Sequence, residues 1–541
     1  MKKPILEFVL PLLMAVATPG CRQPPSSLPQ EGGSGPRRGG QVVVGIPGDV
    51  STFNDYQSAG DATEARIINM LFPSLMVEQP DYHDHPPSYA PALATSWEFS
   101  ADSRVLTFHL RSDARWSDGE PITARDVRFT FLAQKDPRVA WINSEAKSLI
   151  EDVEVVDPHT VRFHFTRPYP YQLMDANDGH IIPAHRWEAI PFDRWKTTDF
   201  TTSMVSGGEF SLASHTRQQT LILERNPRYW DHPLPHLDRV VFRILPDSST
   251  LVAQLLAGNL HLVEMIPPRD AERVRNHPDL RLVEVPSRLW GFIGWNNRRA
   301  PFNDSRVRRA LTLGINRQAL VDGVYLGYAR LANGPVLSSM WAYNKDLPVI
   351  PYDPHQARQL LADAGWADHD GNGWLEKDGR PLVIDLMYPA TNIIRQEMAA
   401  LIQADLARVG VRVRPVASEY SSMLARQDAG DFDAVLAAWE EATKVDLASV
   451  WSTPGEDTGF NNFVGYSNSE VDHLLSAARL ESDPTRAKMC LDRIQHLIVE
   501  DQPVTFLYEV TQLVGIHRRI LGADINAASV FFNIREWSWE H

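Results

Sequence analysis

The run Asp368-His369-Asp370-Gly371-Asn372-Gly373 sets acidic or amide oxygens at alternate positions and glycine at a sharp bend, the arrangement with which a loop wraps calcium. Such a loop closes with a bidentate Glu at its twelfth position. Here that position is Gly379, so a solvated turn is expected. His83-Asp84-His85 offers two imidazoles and a carboxylate to a transition metal, but no third ligand stands at a defined spacing, and a surface loop is expected. Glu440 and Glu441 have the chemistry of an acid and base pair; as neighbours on a strand they point to opposite faces and should not converge on one bond. The chain has no nucleophile elbow, no His-Glu-x-x-His pair, no phosphate-binding glycine loop and no dinucleotide fingerprint. None of these residues assembles a catalytic motif, and neither a metal site nor a cofactor is expected.

Composition narrows the partner. A formal charge of -15 opposes nucleic acid, which demands a basic face. Fifteen Trp are an ample supply of flat apolar rings with one donor each, suited to clefts as well as cores. At 541 residues the chain exceeds one ordinary core and should divide into two to four units.

At the N-terminus, Lys2 and Lys3 precede a largely apolar run from Ile5 to Ala17, closed by Thr18-Pro19-Gly20-Cys21. This is similar to a bacterial lipoprotein signal, although only Gly20 and Cys21 match the usual cleavage box cleanly. The run is shorter than the roughly 20 residues of a membrane span and contains Glu7. Export is expected, with residues 1–20 removed, lipidation at Cys21, and anchoring to the membrane by that lipid. Residues 21–40, rich in Pro, Gly, Ser and Gln, read as a flexible tether. With Cys21 taken by the lipid, Cys490, on a helical run, has no second cysteine to pair with and reads as a buried thiol.

Elements must hold whatever site exists. Leu93 to Phe131 is the most regular stretch: Trp97, Phe99, Leu106, Phe108 and Leu110 alternate in two short strands around Ala101-Asp102-Ser103. Trp116-Ser117-Asp118-Gly119 then turns the chain, and Thr123 caps a helix carrying Val127, Phe129 and Phe131. Its carboxylates stand at turns and a helix start and are read as structural. Pro168 to Pro191 reads as irregular loop. Further on, a strand from Trp290 opens a new unit. Helix Ile393 to Val409 passes through Gly410 to strand Val411 to Val416, the alternation of an α/β lobe, and Asp433 to Trp439 is another strand. The last stretch, Thr511 to Trp539, reads as β-rich.

Several blocks together resemble extracellular solute-binding protein family 5, the peptide- and nickel-binding lipoproteins of ABC importers. They are the Leu93 to Phe131 run, VRRALTLGINRQALVDGVYLGYARLANGPV from Val307, YDPHQARQLLADAGW from Tyr352, DGNGWLEKDGRPL from Asp370, QADLARVGVRV from Gln403 and GYSNSEVDHLLSAAR from Gly465. The resemblance implies a two-lobed, mixed α/β periplasmic-binding-protein fold, type II with an extra subdomain, and a hinge that closes over ligand. The corresponding boundaries are lobe I at 41–80 and 201–290, the extra subdomain at 81–200, lobe II at 291–505, and a return to lobe I at 506–541.

The same resemblance implies a monomeric, non-enzymatic receptor that captures an oligopeptide or peptide-like solute and presents it to a membrane permease. A nickel- or haem-binding member is one alternative, and an exported hydrolase is another. Peptide-binding relatives place an Asp shortly after the Trp that matches Trp439; here Glu440, Glu441, Ala442 and Thr443 follow. The basic clamp that dipeptide binders carry after the strand matching Leu382 to Met387 is replaced by Tyr388-Pro389-Ala390-Thr391-Asn392. A buried charge without its partner is expensive, so a dipeptide loses support. The expected site is Trp439 and Trp290 as walls, Glu441 with Asp446 as the ammonium partner, and Phe53, Asn54, Tyr388 and Asn392 as rim contacts.

Overall fold

The computed structural model describes residues 38–58, 62–455, 459 and 461–540. The signal, the lipidation site Cys21 and nearly all of the tether lie outside the described residues.

Two unusually long strands, Leu280–Trp295 and Val504–His517, run antiparallel through the middle of an eleven-stranded sheet. Leu280 to Pro286 pairs with Thr511 to His517, and Trp290 to Gly294 pairs with Val504 to Glu509. Between Pro286 and Trp290 the register shifts. Proline supplies no ladder donor, and unpaired residues let a strand bend, so the break is where the two halves of the sheet can pivot. On one side the strands Leu262–Val263, Gln41–Ile46, Arg239–Ile244, Thr220–Arg225 and Phe210–Thr216 follow in that order. On the other lie Ala434–Glu440, Val383–Pro389 and Arg412–Ser418.

Each half has its own core, which is why the fold has two lobes. In the first lobe Val42, Val44, Val240, Phe242, Val514 and Ile516 pack with Phe108, Trp116 and Trp187. In the second, Ile384, Leu386 and Leu436 lie under Ile402 and Leu406 of helix Ile393–Ala407, and Phe292 and Phe506 lie under Ile494 and Ile498 of helix Pro484–Asp501. Strand Gln41–Ile46 is parallel to both its neighbours, and Ala434–Glu440 is parallel to one and antiparallel to the other; both are central in the sheet and mostly covered, which explains the near-continuous apolar runs in 41–46 and 434–439.

The extra sheet has the order Ala94–Phe99, Val105–Leu110, Thr160–Phe165, Ile150–Asp157, and its residues share the first lobe's core. Its helix Ala124–Lys135 begins where expected: the Asp126 carboxylate accepts from Thr123 N at 2.8 Å and from Ala184 N at 2.9 Å. The segment read as irregular, 168–191, contains two short helices, Gln172–Asn177 and Ala184–Trp187. Neither is long enough to show a helical period. The first is held from outside, by the buried Lys147, whose ammonium donates to the carbonyls of Asp175 and Asp178 at its C-terminal end. Past His517, among the described residues, only Ile520–Leu521 and Ser538–Trp539 pair, so the C-terminal stretch has less strand than expected. It still returns to the first lobe, where the Trp539 indole donates to the Gln41 carbonyl at 3.1 Å.

Candidate functional site: the wall around Glu441

Strand Ala434–Glu440 pairs with the second half of Leu280–Trp295, placing Trp439 opposite Trp290 and Glu440 opposite Leu289. One residue further on, the Glu441 amide donates to the Arg288 carbonyl at 2.8 Å, which ends the ladder and turns the Glu441 side chain toward Trp290. The Trp290 indole N–H donates to Glu441 Oε1 at 2.6 Å. Among the described residues no ion pair reaches Glu441. Burial pushes its carboxyl up to about 6, against the Trp290 hydrogen bond and the Arg288 charge, which pull it down. A carboxylate in that position has one neutral donor and spare lone pairs, and it is chemically disposed to accept an ammonium or guanidinium group.

Aromatic rings back it. Trp290 lies 4.9 Å from Phe292 and 5.4 Å from Phe506, and Phe292 stacks on Trp439 at 6.4 Å with 18° between planes. Trp439 is partly exposed, as a wall must be. Trp290 is only 1% exposed, so it is not a wall: it supports Glu441 from inside the core.

Asp446 does not join Glu441. Its carboxylate accepts from Ala448 N at 3.0 Å at a helix start and stands 3.4 Å from Arg479. Phe53 and Asn54 are 3% and 0% exposed rather than on a rim. The Phe53 ring meets His215 edge-on at 5.4 Å, and Asn54 caps a short helix by accepting from Tyr56 N at 3.1 Å. Tyr388, 8% exposed, belongs to the second lobe's core, and Asn392 caps helix Ile393–Ala407 through Arg395 N at 3.0 Å. All four hold elements in place, which is what small caps and large rings commonly do at loop ends.

Sequence reading missed the first lobe's contribution. Burial pushes the Glu78 carboxyl up, against hydrogen bonding with the second lobe's Thr443, the charge of Arg288 and hydrogen bonding with Tyr89. The charge of Arg288 thus acts on both Glu78 and Glu441, while its guanidinium stands 4.0 Å from Glu440. Its only signal in the sequence is its place two residues before Trp290, on a strand that begins ten residues earlier than the apolar run suggested.

The motif candidates resolve into structure. In the 368–373 loop, Asp368 accepts from the amides of Gly371 at 2.9 Å, Asn372 at 3.1 Å and Gly373 at 2.9 Å. His83 pairs with its neighbour Asp84 at 2.9 Å, both well exposed. Among the described residues no group of three or more His, Cys, Asp or Glu is placed to hold a metal ion.

A family model described as bacterial extracellular solute-binding proteins, family 5 Middle, matches residues 88–461. The chain belongs to that family. It is similar to the oligopeptide-binding protein AppA of Bacillus subtilis, 28% identical over 536 residues that cover 98% of this chain and 97% of the relative. The structure of that AppA in complex with a nonapeptide matches with a TM-score of 0.81 and 27% identity, covering 94% of this chain and all of the other. Heme-binding protein A of Haemophilus influenzae is 29% identical over 421 residues, covering 74% of this chain and 75% of the relative. This family 5 chain therefore shares its fold with an oligopeptide-binding protein, and the names of its sequence relatives span peptide and haem ligands.

Proposed function

We propose that this protein is the solute-binding component of an ABC importer. It captures an oligopeptide or peptide-like solute between its lobes and delivers it to a membrane permease, working in the cell envelope while anchored through a lipid at Cys21. It acts as a receptor, not as an enzyme. The single observation that carries the ligand class is Glu441: a half-buried carboxylate beside aromatic rings, held by the Trp290 indole at 2.6 Å and without an ion-pair partner among the described residues. The solute's ammonium group supplies that partner, Trp439 packs along the solute, and closure of the lobes excludes water from the pair. The similarity to an oligopeptide-binding protein across nearly the full length of both chains supports the same reading.

Recovery of bound material from the purified protein after incubation with a peptide library, read by mass spectrometry, tests it. Peptides with a free amino terminus should be retained by the native protein and lost from E441Q. Retention of N-acetylated peptides with equal affinity, or chemical turnover of the library, sinks the proposal.

A further inference from the structure

Three residues beyond Glu441, the second lobe touches the first through groups that need no solute. The Lys444 ammonium stands 2.8 Å from Asp175 Oδ1, while Asp175 Oδ2 accepts from the Tyr169 hydroxyl at 2.8 Å. The Asp175 side chain is only 5% exposed. The ammonium also lies 5.2 Å from the centre of the Tyr171 ring, and the Tyr171 hydroxyl donates to the Val445 carbonyl at 2.9 Å. Arg479 adds a looser bridge, 3.5 Å from Glu145 in the first lobe and 3.4 Å from Asp446 in its own. Asp175 and Tyr171 belong to or adjoin the short helix Gln172–Asn177, whose C-terminal carbonyls are fixed by buried Lys147. The receiving side is therefore rigid before the second lobe arrives.

We propose that Lys444, Val445, Tyr171 and Asp175 form a latch between the lobes that holds the protein closed independently of solute. A desolvated charge pair is strong only where further hydrogen bonds complete it, and here both carboxylate oxygens are used and the cation rests on an aromatic face. The four partners come from elements other than the two hinge strands, so their separation is what opening must break. The latch makes the closed form a property of the chain, and solute entry must compete with it through the open minority.

Small-angle scattering of the solute-free protein tests this without any assumption about the ligand, so its outcome is separate from that of the peptide-binding experiment. K444M keeps the side-chain length and removes the charge; Y171F removes a single oxygen. Both should increase the radius of gyration relative to wild type, and D175N added to K444M should open the protein little further, because the pair is already broken. Melting curves establish that the variants remain folded, and Y171F keeps the test available if the charge variants do not fold. A wild-type protein with the same scattering as both single variants overturns the latch.

Discussion

The loop at Asp368 and the wall at Glu441 are both acidic, and by spacing alone the loop is the better motif. The structure reverses that order. Asp368 spends its lone pairs on three backbone amides of its own turn, and Asp370 accepts from the amide of Asn372 at 3.1 Å and from its side chain at 2.8 Å. Glu441 is half-buried and accepts from one indole, and among the described residues no ion pair reaches it. A carboxylate is available for chemistry when its acceptors are not already satisfied by the fold, and residue spacing carries no information on that.

The sharpest way to separate the two regions is through their glycines. A Cβ on Gly291, beside Trp290, would lie 2.1 Å from the Tyr508 ring, inside a closely packed strand pair. G291A should cost about 3 kcal/mol or more. On Gly371, at φ +74°, a Cβ meets nothing within 4 Å, so G371A should cost only the left-handed backbone, about 1 kcal/mol. Urea melts of both variants check the contrast, and equal losses would mean that the wall is no more tightly built than the loop.

Next in size is the effect on binding. E441Q should weaken a peptide with a free amino terminus by roughly a hundredfold, about 2–3 kcal/mol, measured by calorimetry. D368A should leave the same affinity unchanged.

How much of this was legible in advance follows the same division. The elements were readable because alternation in 94–110, the cap at Thr123 and the helix–Gly410–strand passage are local signals, and the structure keeps each of them; the two lobes were implied only by the resemblance to family 5. Glu441 was singled out only through the resemblance to family 5, whose peptide binders place an Asp shortly after the Trp that matches Trp439. Trp290, Phe53, Asn54 and Tyr388 were read as ligand contacts because aromatic and amide side chains suit clefts and cores equally, and only burial distinguishes the uses. Glu78, Arg288 and the Lys444–Asp175 pair were not legible at all. Their partners are far away in sequence, 269 positions in the last case, and no periodicity brings them together.

A smaller effect concerns pH. The Glu441 carboxyl stands at about 6 in the folded protein against an ordinary 4.5, so the native state holds this proton more tightly than the unfolded chain. Its contribution is complete below pH 4.5 and is lost as pH rises through 6, about 2 kcal/mol in all. E441Q should remove that part of the slope in melts between pH 4 and 7. An ammonium ligand favours the ionised form, so binding should release a proton near pH 5.5, and affinity should rise with pH until it levels above 6.

The smallest expected effect is that of calcium. Where a calcium loop would place its bidentate Glu, this chain turns a hairpin: Glu376–Lys377 pairs with Arg380–Pro381, and Asp378 and Gly379 both have positive φ, 52° and 69°. That turn fits a two-residue hairpin and supplies no carboxylate at the twelfth position. D368A should therefore cost about 1 kcal/mol, from the loss of the acceptor that organises the turn. Millimolar calcium should leave the melting temperatures of both wild type and D368A unchanged. A calcium-dependent rise in wild type that is absent from D368A would mean that backbone amides and a metal can share those oxygens, and that satisfied acceptors do not by themselves mark a region as structural.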